Sequence, residues 1–577
     1  MKNRRSYEQI DLKRIAPYSD TTTESFKTGH WGPRKPKYEE KISPCREACP
    51  AGNDIAGVLA KAGSGDFDGA LSLLLAENPL PGVCGRVCYH PCQTKCNRAE
   101  FDQAVEIRSL ERALSDYGSV TLPIQKNKKP KRVAVIGSGP AGLSAAYFLA
   151  RLGHKITLFE QREELGGVLR YGIPPYRLPK DVLDREISRI INLGIEVKTK
   201  TKVDKNLLKK LRADYDALFL SVGAWLPRGL FLEGPHGKDV LKGLDFLSNP
   251  RARKTAAGKK RIVVIGGGDV AVDVARTALR LSGKGSTVTM VAPESPGSFP
   301  AIPEAVREAM EEGIKMYGGF RPAALNGSRK LENITFSKTK VISDLETGLY
   351  TMMPARGKPL TLEADLVISA IGQVPETSPI SAGLLEEDGS HVYVDRFGMT
   401  PLDKLYAGGD LVKQRPAVVD AIASGKRSAL AIHLSDGKKE KTISSITLGN
   451  GPSLSFRSYL APDGVNLKKT VEYSQLNTLV YRTSTPNYGD TQSPESRAAN
   501  FAEITAALKK EKAIEEAKRC FNCGRCVECD LCYFLCPDIS IFKGLKKGYE
   551  VDKDYCKGCS ICAVTCPRHV IEMEENR

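Results

Sequence analysis

Cysteine is the residue through which this chain can do most chemistry. Of its sixteen cysteines, eight form two runs near the C-terminus. Cys526, Cys529, Cys532 and Cys536 are spaced C-x2-C-x2-C-x3-C and closed by proline, and Cys556, Cys559, Cys562 and Cys566 follow with the same gaps and the same closing proline. Cube-type iron–sulfur clusters need four thiolates, and two such runs are the bacterial signature of a [4Fe-4S] pair in which the fourth cysteine of each run serves the other cube. The spacing therefore groups Cys526, Cys529, Cys532 and Cys566 around one cube, and Cys556, Cys559, Cys562 and Cys536 around the other. Zinc ribbons and disulfides are the alternatives. Zinc sites close with four ligands and have no use for a Cys-Pro ending each run. Such clusters carry electrons.

Two glycine-rich loops supply the second kind of chemistry. A β-run, Val133 to Ile136, leads into Gly137-x-Gly139-x-x-Gly142 and an apolar helix, and a second strand, Ile156 to Phe159, ends in Glu160. Glycines at this spacing permit a tight turn, backbone approach to a pyrophosphate and close packing of helix on strand, while the terminal acid suits a ribose diol. The helix N-terminus offers its free N–H groups to phosphate. The pattern returns as Gly266, Gly268 and Ala271, with Asp269 opening the helix. Two cradles in one chain point to FAD and a nicotinamide dinucleotide. Gly409 and Asp410, after a short strand and before a helix starting near Ala417, are placed to return to the first cradle and hold the ribityl-phosphate end of the flavin. Asp216 to Ala224 and Ala364 to Gln373 read as crossover strands between the nucleotide domains.

The elements that position these groups must fill several domains, because 577 residues exceed one core. The charged start and the lack of an eighteen-residue apolar run predict neither export nor a membrane span, hence a cytoplasmic protein. In a reducing compartment, grouped cysteines mean metal or redox chemistry. The net charge of +17 is spread along the chain without a nucleic-acid recognition motif. A basic face for an acidic redox partner and an ordinary solvated surface remain the two readings of that charge.

From about residue 40 to 435 the chain resembles the small subunit of glutamate synthase and its relatives, which include the N-terminal half of dihydropyrimidine dehydrogenase and the large subunit of the bifurcating NADH-dependent ferredoxin:NADP oxidoreductase. GSGPAGL, GGVLRYGIPPYRLPKDVLDREI (Gly166 to Ile187), GGGDVAVD and AGGDLVKQRPAVVDAIASGK carry the resemblance. It implies a helical cluster-binding domain followed by FAD and NAD(P)H domains, with Gly167 and Arg170 among the cofactor contacts. Relatives that use NADPH carry Tyr-Arg-Arg where this chain has Ala292, Pro293 and Glu294. A carboxylate there suits the free diol of NADH and repels a 2′-phosphate.

The resemblance also interprets the N-terminal cysteines, whose four-residue spacing could otherwise line one side of a helix. It implies one cube on Cys49, Cys88, Cys92 and Glu111, with Cys84 a buried spare or substitute. A second cube would use Cys45 and Cys96, but the opening C-x2-C is missing ahead of Cys45. Cys520 and Cys523, in a phrase like the one that opens this domain in relatives, are left over, as if the segment had moved to the far end of the chain. Free thiols or a separate metal site are the alternative for this pair.

The expected fold is α/β: tandem Rossmann-like FAD and NAD(P) domains, an α-helical N-terminal Fe-S domain and a C-terminal bacterial ferredoxin-like α+β domain. The boundaries read 1–125 for the helical cluster domain, 126–255 with 365–435 for FAD, 256–364 for NAD(P), 436–510 for an extended arm, and 511–577 for the two-cluster module. Short β-like runs such as Asn477 to Arg482 and an amphipathic helix from Phe501 to Lys518 are expected in the last third. The function this implies is an electron-transfer subunit running between nicotinamide, FAD, four cubes and ferredoxin or a second redox subunit, within a hetero-oligomer or dimer. A glutamate synthase small subunit and a non-catalytic cluster wire are the rivals.

Overall fold

The β-branched run Arg132–Ile136 is the middle of a five-stranded parallel sheet. In spatial order the sheet comprises Leu405–Ala407, Ala217–Leu220, Arg132–Ile136, Lys155–Phe159 and Glu196–Lys198. The helix Pro140–Arg151 follows the first glycine loop, and Val418–Leu434 packs along it. A second parallel sheet runs Lys315–Gly318, Thr287–Ala292, Arg261–Ile265, Leu366–Ser369 and Val240–Lys242. This sheet therefore draws strands from both sides of the expected 256–364 span. An antiparallel meander, Phe320–Asn326, Asn333–Ser343, Tyr350–Pro354 and Leu360–Glu363, stands beside it in sequence.

The computed structural model describes every residue except 1–25, 231, 235–236, 329, 344–349, 378–379, 436–469, 545–547 and 576–577. Residues 436–469 of the expected arm thus lie outside the described residues. The chain divides into two units. The larger holds residues 43–470 and 483–521, with both sheets and a helical cap made of Ile55–Gly63, Phe67–Glu77, Pro81–Val87 and Ile107–Tyr117. Asp54 and Asp66 cap the first two of these helices by accepting from the Gly57 and Gly69 N–H groups. The cap is bound to the flavin sheet's layer by Glu186, which accepts from Gly82 N at 2.8 Å and Val83 N at 3.0 Å.

The helix expected over 501–518 spans only Lys510–Lys518. Upstream, Ile504 and Ala506 are drawn into antiparallel pairing with residues 490–492, and the Ile504 N–H donates to Tyr176 O, so tertiary hydrogen bonds override the helical pattern. Lys510–Lys518 packs on Ile55–Gly63 and Ile107–Tyr117, which adds a C-terminal segment to the N-terminal cap.

Among the described residues, the smaller unit holds 26–42, 471–482, 522–544 and 548–575, with two antiparallel strand pairs and the short helices Leu531–Phe534 and Ile561–Thr565. One pair joins Arg34–Tyr38 to Ile571–Glu575, so the described residues 26–42 belong with the ferredoxin-like module. Asn477 to Arg482 is not a strand: a 3-10 turn, Thr478–Val480, forms because the Asn477 side chain accepts from Leu479 N.

Candidate functional site

The first glycine loop is built for close approach. Gly137 adopts φ +98°, and a Cβ there would meet Ser221 O at 2.4 Å. A Cβ on Gly142 would lie 1.9 Å from Gly137 O, so helix and strand touch only because both are glycine. At Gly139 nothing stands within 4 Å of the same position, leaving open space where a pyrophosphate would approach. Gly167, at φ +54°, closes on Gly139 Cα. Glu160 ends its strand at this loop. One of its carboxylate oxygens accepts from Ser138 N and Oγ at 3.0 and 2.6 Å, and the other from Arg162 N at 2.8 Å. Arg170, expected at the cofactor, donates to Leu165 O at 2.6 Å and pairs with Glu164 and Asp184.

Gly409, also left-handed at φ +68°, packs against Ala141 at the start of the loop helix, and its N–H donates to Ser424 Oγ at 2.8 Å. Gly409–Asp410 thus returns to the first cradle. Burial, reinforced by the charge of Asp420, pushes the Asp410 carboxyl up to about 6. Asp420, in the first turn of Val418–Leu434, keeps one carboxylate oxygen buried without a hydrogen-bond partner.

The second cradle repeats the geometry. A Cβ on Gly266 would meet Ala370 O at 2.3 Å, Gly268 faces open space, and Ala271 packs fully buried beneath the turn. Asp269 is occupied by the Ile302 N–H at 3.1 Å. Glu294 reaches back over the loop: its Oε2 lies 3.2 Å from a Cβ built on Gly267, buried and without a hydrogen-bond partner. The two cradles are bridged by Arg177, whose guanidinium donates to Asp273 at 2.8 Å, and by Tyr176, buried under the guanidiniums of Arg276 and Arg280.

In the helical cap, Cys49, Cys88, Cys92 and Glu111 converge. Burial pushes the Cys49 thiol up to about 11 and those of Cys88 and Cys92 upward too, and the Glu111 charge adds to all three. Glu111 is itself buried and pushed up to about 8, although it accepts from Asn53 Nδ2 at 2.7 Å. Four ligand-type groups that resist ionisation together suit a site completed by a cation, with protons released as it binds. Cys84 is buried beside Cys88 and Glu111. Cys45, Cys96 and Cys520 form a second group: after burial, Cys96 and Cys520 are the largest influences raising Cys45. Cys520 is held there by its neighbour Arg519, which donates to Gln103 O at 2.7 Å and Ala104 O at 3.2 Å and pairs with Asp102. Cys523 belongs to the smaller unit.

Within that unit each C-terminal quartet rings its own cavity. Cys526, Cys529, Cys532 and Cys566 line one, and Cys536, Cys556, Cys559 and Cys562 line the other. Among the described residues no three Cys, His, Asp or Glu side chains are set to grip a single metal ion. The thiols surround a volume, which is what a cube requires. The two loops match residue for residue at an offset of 30, from Cys526/Cys556 to Cys536/Cys566. Left-handed backbone recurs at Glu528/Gly558, Asp530/Ser560 and Ile539/His569. That recurring backbone is a feature the sequence reading missed.

Residues 131–425 match the family model described as pyridine nucleotide-disulphide oxidoreductase, and residues 39–121 match dihydropyrimidine dehydrogenase domain II, 4Fe-4S cluster. The NADPH-Fe(3+) oxidoreductase subunit beta of Geobacter sulfurreducens is 31% identical over 528 residues, covering 84% of this chain and 76% of the relative. The NADP(+)-dependent formate dehydrogenase subunit beta of Moorella thermoacetica is 30% identical over 523 residues, covering 84% and 71%. The NAD-dependent dihydropyrimidine dehydrogenase subunit PreT of Salmonella typhimurium is 35% identical over 401 residues, covering 68% and 90%.

Proposed function

The chain belongs to the pyridine nucleotide-disulphide oxidoreductase family, and on that premise we propose that this FAD-dependent NAD(P)H oxidoreductase is the electron-transfer subunit of a larger redox enzyme, running between nicotinamide and a partner subunit or ferredoxin. Bound at these loops, FAD and a nicotinamide dinucleotide would supply hydride transfer, and clusters on the cysteines would supply single-electron transfer. The protein's share is to bind and align. The first loop with Gly409–Asp410 holds FAD, the second loop holds the nicotinamide dinucleotide, and the Arg177–Asp273 pair fixes one cradle against the other.

The observation that carries the reading is Asp420. Its carboxylate acts electrostatically on Asp410 at the flavin loop and on Cys88 in the helical cap. Flavin cradle and first cube site are therefore neighbours in one unit, where the Arg415 guanidinium, five residues beyond Asp410, also lies 3.6 Å from the ring centre of Tyr89, next to Cys88. Cys49, Cys88, Cys92 and Glu111 are assigned to that cube. Cys45, Cys96 and Cys520 are assigned to a second. The C-terminal quartets hold the remaining two. Glu294, with a buried unpaired oxygen over the nicotinamide loop, supports NADH as the preferred donor. No helix among the described residues is long and apolar enough to cross a membrane, and oxygen-sensitive thiolate sites suit a reducing cytoplasm.

The test is anaerobic mixing of the purified holoprotein with NADH. Bleaching of the flavin absorbance followed by cube reduction supports the reading. A flavin that no nicotinamide reduces would favour the cluster-wire rival.

A further inference from the structure

The strand Arg34–Tyr38 lies at the opposite end of the chain from the cysteines it covers, and it places Tyr38 opposite Ile571 in the smaller unit. The Tyr38 ring stacks on Tyr549 with centroids 6.0 Å apart and planes at 28°. The two hydroxyls then part company. Tyr549 donates to Asp530 Oδ1 at 2.7 Å and accepts from Asp530 N at 3.0 Å. The Tyr38 hydroxyl is closed off from solvent and has no hydrogen-bond partner among the described residues. A buried hydroxyl left in that state is costly, so its partner belongs to what fills the space beside it.

That space is the cavity ringed by Cys526, Cys529, Cys532 and Cys566, of which Tyr38 forms part of the wall. The Cys532 thiol stands beside the phenol, so the hydroxyl is placed to donate to sulfur in that cavity. Two residues earlier on the same strand, Pro36 lines the other cavity together with Met573. The two sites, alike in their cysteine loops, are made unlike by this one strand.

We propose that Tyr38 is a positioning residue that donates its O–H to a sulfur of the cube held by Cys526, Cys529, Cys532 and Cys566, raising that cube's reduction potential above the value its loop alone would give. This rests on the cube reading of the C-terminal cysteines. A reduced cube carries one more negative charge than an oxidised one, and hydrogen bonds to charged acceptors strengthen as charge grows. Hydrogen bonds to cluster sulfurs are among the factors that set cluster potentials. The N-terminal strand thereby ranks two otherwise repeated cubes and gives the electron a preferred site.

The test is Tyr38→Phe in the full-length, anaerobically prepared holoprotein, which keeps the ring on Tyr549 and removes only the hydroxyl. In a potentiometric titration read by electron paramagnetic resonance, one cube signal should become harder to reduce by about tenfold in its equilibrium constant, about 59 mV for one electron, while the others stay put and iron content is unchanged. In wild type, an exchangeable proton coupled to the same signal should appear by electron–nuclear double resonance, and the variant should lack it. Unmoved potentials with full iron overturn the role of Tyr38 and leave the cube reading standing. Wild-type protein with no iron on the C-terminal cysteines overturns both.

Discussion

Glu294→Gln tests the proposal that this carboxylate sets nucleotide preference. The carboxylate sits over the glycine loop with Oε2 3.2 Å from a Cβ position on Gly267, where the adenosine ribose of a bound dinucleotide would lie. Two unit charges 4 Å apart interact by about 1 kcal/mol in water and about 4 kcal/mol at the effective dielectric of a protein surface. A 2′-phosphate carries about 1.5 to 2 negative charges. At the aqueous limit this would disfavour NADPH by about 1.5–2 kcal/mol, about 10- to 30-fold. Glutamine keeps a hydrogen-bonding group for the diol, so NADH should lose little. Anaerobic stopped-flow reduction of the flavin at varied NADH and NADPH should show the NADPH-to-NADH ratio of kcat/KM rising about 10-fold or more in the variant. The gain should shrink as salt is added, since screening already weakens the repulsion in wild type. Wild type that prefers NADPH, or a variant that alters both nucleotides equally, would refute the reasoning.

Three further outcomes follow from other parts of the molecule. Glu312 is a fully buried carboxylate paired with Arg276, Arg280 at 2.9 Å and Arg497 at 3.2 Å, so Glu312→Gln should cost about 3–5 kcal/mol in urea unfolding by stranding buried guanidiniums; a cost below about 1 kcal/mol would mean the cluster is dispensable. Cys520→Ser should lower bound iron by one cube's worth with flavin content unchanged, and full iron retention would remove Cys520 from the ligand set. In apoprotein the Asp410 carboxyl, raised to about 6 from 3.8, binds its proton more tightly folded than unfolded, so it favours the fold below about pH 4 and loses that contribution as pH rises to about 6, worth about 3 kcal/mol; Asp410→Asn should therefore gain stability over wild type across pH 4–7, and a difference in melting temperature that does not change with pH would contradict this.

The chemistry was more legible in the sequence than the architecture that brings it together. Glycine loops and C-x2-C runs are local patterns whose spacing is dictated by a phosphate or a cube, so Gly137, Gly139 and the two C-terminal quartets could be read directly. Pairing across the chain has no such local signature. Nothing in RKPKY announces that it pairs with a strand more than 500 residues away. The pattern from Phe501 reads as helix because period cannot register that Ile504 and Ala506 have better hydrogen-bond partners in residues 490–492. Arg170 was assigned to the cofactor on the strength of its segment, yet Glu164 and Asp184 satisfy it locally. The equal gaps of the two cysteine runs are legible in the sequence, whereas the left-handed backbone that recurs with them at Asp530/Ser560 and Ile539/His569 has no residue type in common to announce it.

The account stands on electrons entering at the nicotinamide loop and reaching cubes at both ends of the chain. Freeze-quenched electron paramagnetic resonance of the anaerobic holoprotein, sampled after mixing with NADH alone, tests it most directly. Flavin bleaching followed by more than one cube signal, in protein carrying iron equivalent to four cubes, is the predicted result. Protein that carries zinc in place of iron, or whose cubes stay oxidised while the flavin is fully reduced, would contradict it.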